Sequence, residues 1–258
     1  MIKEMYTAAM GMMSQQTRLE VISNNIANAS TVGFKRDSVF ERNLIDSKAS
    51  LYNIASSGEQ DDPPIGSYID FTKGSFEQTG NKLYLAIDGD GFFLLSDDEG
   101  KEYLTRAGNF SINEDGDVVS SNGKYLMADG ARLNIAKNMD GDTFNSDVRN
   151  SEIKVNDSGE IFVNNVSLGN LDIVDANNNV TLEKISSSDF IETGDNQYIH
   201  KDIGSVKIRQ GWLENSNVNV IDEMVEMINL QRQFEAGSKV ITTNDSTLDQ
   251  SIALGKYY

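Results

Sequence analysis

A chain of 258 residues with a formal net charge of -18, one histidine and no cysteine excludes several classes of function at once. Nucleic-acid backbones and anionic membrane surfaces select basic proteins, and without thiols there is neither a disulfide framework nor thiol chemistry. Apolar residues make up 38% with a mean hydropathy of -0.41, the balance of a protein with much surface for its mass, and no run approaches the roughly 18 apolar residues of a membrane span.

The charge is uneven. The first thirty residues balance Lys3 and Arg18 against Glu4 and Glu20, and residues 220–258 set three bases against six acids, so most of the excess falls between them. Near-neutral ends pack closely against other chains, whereas an acidic middle stays solvated.

Residues 2–29 are expected to form a helix. Met5, Ala8, Met12, Leu19, Ile22, Ile26 and Ala29 recur at steps of three and four, a narrow apolar seam interrupted at Gln15. Such a seam buries little alone and needs a partner laid along it. Gly11 costs about 1 kcal/mol of helix propensity and is expected to admit a closely approaching helix. The apolar positions are periodic rather than continuous, so no cleaved signal peptide is expected. Asn28 to Ser30 should end the helix, because Asn and Ser favour caps and turns. Thr31-Val32-Gly33 then turns the chain, with Gly33 free to take a positive φ, and Phe34 folds back as an apolar anchor ahead of Lys35 and Arg36.

A short helix is expected from Asp37 to about Ser50. Residues 53–67 are small and polar and hold the only prolines, Pro63 and Pro64, which marks a linker or extended arm. Beyond it the period changes to two. Short strand-like runs such as Tyr68–Phe71, Leu83–Ile87, Gly91–Leu95, 102–113, 117–128, 152–164 and 170–176 alternate with turns, and Asn122-Gly123 and Ser158-Gly159 are hairpin dipeptides. That spacing specifies an antiparallel β domain.

A final helix is expected from Asn217, as its cap, to about Leu254, with Gly255 as its stop and Glu223 or Glu226 favouring its positive end. Val220, Met224, Met227, Phe234, Ile241, Leu248 and Ile252 repeat the three-four stepping, and Ile221, Val225, Ile228 and Leu230 widen the apolar surface beyond that line. The expected fold class is α+β: paired long N- and C-terminal helices, coiled-coil-like, with a central antiparallel all-β domain. The expected domains are residues 1–36 with 216–258 for helical assembly, 37–67 as an arm, and 68–215 for the β domain. Apolar residues off both seams point to further helices packing around the pair, the alternative being that both helices lie on the β domain of their own chain. Asn24, Asn25 and Asn28 near the end of the first seam either fix register from buried positions or, exposed, favour helix termination.

Catalytic signals are missing. His200 stands alone in a polar stretch, and no P-loop, GxGxxG, HExxH or GxSxG pattern occurs. The acidic turns at 88–91, 113–117 and 139–142 suggest calcium, but none continues to the glutamate that closes an EF-hand loop, and Asp, Asn and Gly are also what β-turns require. No catalytic residue, cofactor or metal is expected.

Several stretches carry a family resemblance. Gln15-Gln16 followed by SNNIANASTVGFKR (23–36) resembles the N-terminal signature of bacterial flagellar rod and hook proteins, and GWLENSNVNVIDEMVEMINLQRQFE (211–235) resembles the matching C-terminal one. LAIDGDGFFLL (85–95) and YLTRAGNFSIN (103–113) resemble the family's β-domain motifs. The motif residues are Asn24, Asn25, Asn28, Gly33, Phe34 and Lys35 at one end and Gly211, Leu213, Glu214, Ser216, Asn217 and Val218 at the other. The resemblance implies a subunit of the periplasm-spanning rod, exported by the flagellar type III apparatus and assembled with copies of itself and other rod proteins into a helical tube that carries torque from motor to hook. Its implied assembly seam is Met5, Met12, Leu19, Ile22 and Ile26 with Val220, Met224, Met227, Phe234 and Ile241. The segment DDPPIGSYIDFTKGSFEQTGN lacks the Gly-rich stretch usual in distal-rod proteins, and with the ending STLDQSIALGKYY it favours the proximal-rod type. A competing reading from another class is an acidic secreted protein that binds calcium or carbohydrate through its Asp-rich turns.

Overall fold

A computed structural model of the chain describes residues 2–41, 65–136, 152–175, 181–193, 199–200 and 206–255. Two compact units emerge, one from residues 1–29, 36–71 and 218–258 and the other from residues 30–35 and 72–217.

The first unit holds helix α1 (Ile2–Ala27) and helix α2 (Val220–Gly255). Asn28 ends α1 by bonding backward. Its backbone N–H donates to the Asn24 carbonyl at 3.1 Å, and its side-chain amide donates to the Asn24 carbonyl and side-chain oxygen at 2.9 and 2.8 Å. At the start of α2 the cap is Asn219 rather than Asn217. Its side-chain oxygen accepts the N–H of Ile221 at 3.1 Å, the second free donor of the helix.

The short helix expected from Asp37 does not form over the described residues. Strand β1 (Arg36–Glu41) pairs antiparallel with β2 (Ile65–Asp70), from Arg36 opposite Asp70 to Glu41 opposite Ile65. A partner strand satisfies the backbone of RDSVFE in extended form, which overrides its weak helical pattern. Residues 42–64, with the rest of the expected helix, most of the arm and both prolines, lie outside the described residues.

The second unit is a β structure in which every strand pairing among the described residues is antiparallel. At its centre is strand Phe92–Ser96, fully buried. It pairs with Glu102–Thr105 on one side and with Tyr125–Ala128 and Ile173–Asp175 on the other. An unbroken apolar run FFLL suits a strand covered on both faces. Alternate side chains divide accordingly: Phe93 meets Phe110 edge-on at 5.3 Å, and Phe92 meets Phe190 at 5.7 Å. Phe93 and Leu95 belong to the main core with Leu85, Ile87, Leu126 and Val163. The acidic turn at 139–142 lies outside the described residues.

The fold class needs one correction. The chain is α+β, with two helices among the described residues and a mainly β middle, but the helices are not a coiled-coil-like pair. They are unequal, 26 and 36 residues long, and a buried contact between them is polar, Asn25 with Glu223. A coiled coil requires apolar a and d residues matched and buried along both helices, whereas of the described seam side chains only Ile22 is buried and Met224 is 49% exposed.

Candidate functional site

The helix contact is antiparallel and anchored at two places. Near the end of α1, Asn25 faces Glu223 in the first turn of α2, its side-chain N–H donating to the carboxylate at 3.3 Å. Some 20 Å back along α1, Met12 faces Gly237, where an added Cβ would stand 3.3 Å from the Met12 Cγ. Close approach is thus made at Gly237 and not at Gly11, which has nothing of its own chain within 4 Å of a built Cβ.

Asn25 is the centre of a polar node. Its amide pairs with the backbone of Asp37 in both directions, donating to the carbonyl at 2.9 Å and accepting the N–H at 3.0 Å, as one peptide group pairs with another. Glu223 takes a further bond from Arg36 Nε at 2.5 Å, and Glu226 lies 3.8 Å from the same guanidinium. One asparagine therefore fastens α1 to both β1 and α2, which resolves its role in favour of a buried register-fixing residue. Asn24 is exposed and serves the helix end. An open cleft beside the node is lined by Arg18, Val21, Ser38 and Tyr68.

Of the remaining seam residues, Ile22 is buried, and Met12, Leu19, Ile26, Val220, Met227, Phe234 and Ile241 are half-buried. The side chain of Met5 lies outside the described set. On α2 the exposed apolar residues Ile221, Met224, Val225 and Ile228 are spaced three, one and three apart, one continuous helical face. They are 49 to 72% exposed, an unusual amount of bare apolar surface for one helix end.

Within the second unit the motif residues Gly33 and Lys35 converge on Glu214, which is 1% exposed. One carboxylate oxygen accepts Lys35 Nζ at 2.7 Å and the Gly74 N–H at 3.1 Å, and the other accepts Arg106 at 3.3 Å. The Glu214 carbonyl accepts the Gly33 N–H at 2.8 Å. Gly33 has φ +69° there, and a Cβ would fall 2.3 Å from the Ala107 backbone nitrogen, so only glycine fits. Phe34 is fully buried beneath Lys184, whose Nζ lies 3.9 Å from the ring centre and donates to the Lys35 carbonyl at 2.9 Å. Burial pulls the Arg106 guanidinium below its usual pKa, and the Glu214 carboxylate acts in the opposite direction.

Leu213 and Glu214 lie on strand Trp212–Glu214, paired with Phe76–Gln78. Gly211 precedes them and bonds the Tyr84 carbonyl at 2.7 Å. Ser216 is buried, Asn217 donates to the Thr72 carbonyl and hydroxyl at 3.1 Å each, and Val218 leads into α2. Arg106 and Thr72 were not singled out from the sequence. The TRAGN stretch carries a trace of the first, and nothing local marks the second. Glu223 lies in the first turn of α2 as expected, and its side chain is also buried there.

Of the acidic turns among the described residues, the one at 113–117 closes on its own backbone, the Asn113 side-chain oxygen accepting the N–H groups of Asp115 and Asp117 at 3.0 and 2.8 Å, while in the one at 88–91 Asp88 pairs with Arg209. Among the described residues no helix is long and apolar enough to cross a membrane.

Comparison with known proteins agrees with this arrangement. The family model described as Flagella basal body rod protein matches residues 5–35, that of the Flagellar hook protein FlgE/F/G D1 domain residues 86–163, and that of the Flagellar basal body rod FlgEFG protein C-terminal residues 209–254. The chain is 34% identical to the flagellar basal-body rod protein FlgG of Bacillus subtilis, covering 98% of this chain and 99% of that one. It is 31% identical to FlgG of Agrobacterium fabrum over 92% and 94% of the two chains, and 30% identical to the rod protein FlgF of Mesorhizobium japonicum over 96% and 95%. The chain belongs to the flagellar basal-body rod protein family, as a structural component of the basal body and not an enzyme.

Proposed function

We propose that this rod subunit assembles with copies of itself and with other rod proteins through its terminal helices, forming a tube that transmits torque from motor to hook. The observation that carries this reading is the bare apolar face of α2, Ile221, Met224, Val225 and Ile228. Covering such half-exposed side chains contributes roughly 1 kcal/mol each, a contribution collected only against another chain. The wider proposed seam is Met5, Met12, Leu19, Ile22 and Ile26 with Val220, Met224, Met227, Phe234 and Ile241. In this reading residues 1–36 and 216–258 serve assembly, residues 37–67 form an arm, and residues 68–215 face outward with most of the negative charge. Export proceeds through the flagellar type III apparatus, and the subunit takes its place in the periplasm-spanning rod, on the motor side by its proximal-type motifs.

Replacing Ile221 and Ile228 together with Asp tests the proposal. The purified variant should keep the wild-type far-UV spectrum while cells that make it lack rods and do not swim. Normal rods built from that variant would overturn it.

A further inference from the structure

The second unit is joined to the rest of the chain at four points, where residue 29 passes to 30, 35 to 36, 71 to 72 and 217 to 218. Three of the residues at these joints, Lys35, Thr72 and Asn217, are bonded to one another. The Thr72 carbonyl accepts both Lys35 Nζ at 2.7 Å and the Asn217 side-chain amide at 3.1 Å. Glu214 binds Lys35 again, holds Gly74 just inside the third joint, and through its carbonyl holds Gly33 within the short segment between the first two. Lys184 closes over the same segment at the Lys35 carbonyl.

We infer that these residues form a clamp that ties the joints of the β unit into a single mechanical node, with the Thr72 carbonyl and the Glu214 carboxylate as its two hubs. Separate hydrogen bonds at separate joints would each carry load alone. Sharing one acceptor makes them interdependent, because a Thr72 segment released by Asn217 no longer presents its carbonyl to Lys35. Under the proposed rod role, torque entering through any one joint is then spread over the others before it reaches the strands. The clamp itself does not depend on that role, only its consequence under load does.

A double-mutant cycle on the purified full-length chain tests it, with unfolding of the β unit followed by fluorescence of Trp212, the chain's only tryptophan. Lys35→Met and Asn217→Ala each remove one donor to the same acceptor, the Thr72 carbonyl. The double variant should raise the unfolding equilibrium constant at least threefold less than the product of the two single effects. Agreement with that product within twofold would overturn the clamp. If Lys35→Met does not fold, Lys184→Met replaces it, since Lys184 acts on the same joint and is partly exposed, and the same criterion applies. Asn122→Ala, which removes a bond to Asp189 elsewhere in the unit, should combine multiplicatively with Asn217→Ala, and coupling there of the same size would also count against the clamp. Because the cycle uses isolated protein, its failure leaves the rod assignment standing, and a failure of rod assembly leaves the cycle unaffected.

Discussion

Two buried glutamates, Glu214 and Glu223, lie in the C-terminal family stretch at 211–235, and they should not be equally important. Glu214 faces Lys35 and Arg106, whose side chains are 1% and 4% exposed. Glu214→Gln keeps the shape but removes the charge that Lys35 and Arg106 share in a place closed to water, which costs about 3–5 kcal/mol. Glu223 faces Arg36, whose side chain is 35% exposed and has Glu226 nearby. After Glu223→Gln that guanidinium can turn to solvent, and Asn25 keeps both bonds to Asp37, so the loss should be about 1 kcal/mol. Denaturant unfolding followed by Trp212 fluorescence for the β unit and by far-UV dichroism for the helices separates the two units, which need not unfold together. Equal losses for the two variants, or a larger one for Glu223→Gln, would refute the reasoning that solvent access decides the cost.

Gly33→Ala should destabilise the β unit by several kcal/mol, because its Cβ meets backbone at Ala107 and its φ is left-handed; a loss under about 1 kcal/mol in the same assay would contradict the assigned turn. Gly11→Ala should stabilise the isolated chain by about 1 kcal/mol through helix propensity alone, as nothing of the chain crowds that position, and a lower melting temperature would count against this. The Asp97 carboxyl is held below its ordinary pKa, chiefly by the Lys101 N–H, with Tyr103 and Glu99 assisting. Its contribution to stability is therefore present above about pH 4 and lost as pH falls through the lowered value. Asp97→Asn should flatten that acid limb in denaturation curves. Tyr103 is shifted the other way, by partial burial and then by its bond to Asp97. Its contribution holds below about pH 10 and is lost as pH rises through the raised value, so Tyr103→Phe should remove a late step from the alkaline phenolate absorbance.

What was legible in the sequence follows the range of the interactions. The three-four stepping marked both helices within a few residues of their ends, and the run at 91–95 was readable as a strand, though its burial throughout was not. Phe34, a lone large apolar residue after a glycine turn, was readable as an anchor. The hairpin of β1 and β2 was not, because its second strand arrives 29 residues after Arg36 and RDSVFE has no decisive period. Asn24 and Asn25 are chemically identical in sequence, and only the packing of Asp37 and Glu223 against one of them separates their roles. The cap of α2 slipped by two residues for a similar reason: Asn217 is drawn to Thr72, 145 positions away, leaving Asn219 for the helix. The coiled-coil expectation failed because apolar spacing reports which faces a helix can bury, not which neighbour buries them.

The central claim is that the bare face of α2 meets another subunit. The chain has no cysteine, so Ile228→Cys introduces a single thiol at a position 50% exposed. Treating isolated basal bodies that carry this variant with a monofunctional maleimide label, with Asp98→Cys on the β unit as the comparison, measures directly whether assembly covers the position. The account predicts that Cys labelling of free thiols at position 228 is blocked by assembly and restored on dissociation, while position 98 stays reactive throughout. Equal reactivity of position 228 in assembled and dissociated subunits would contradict it.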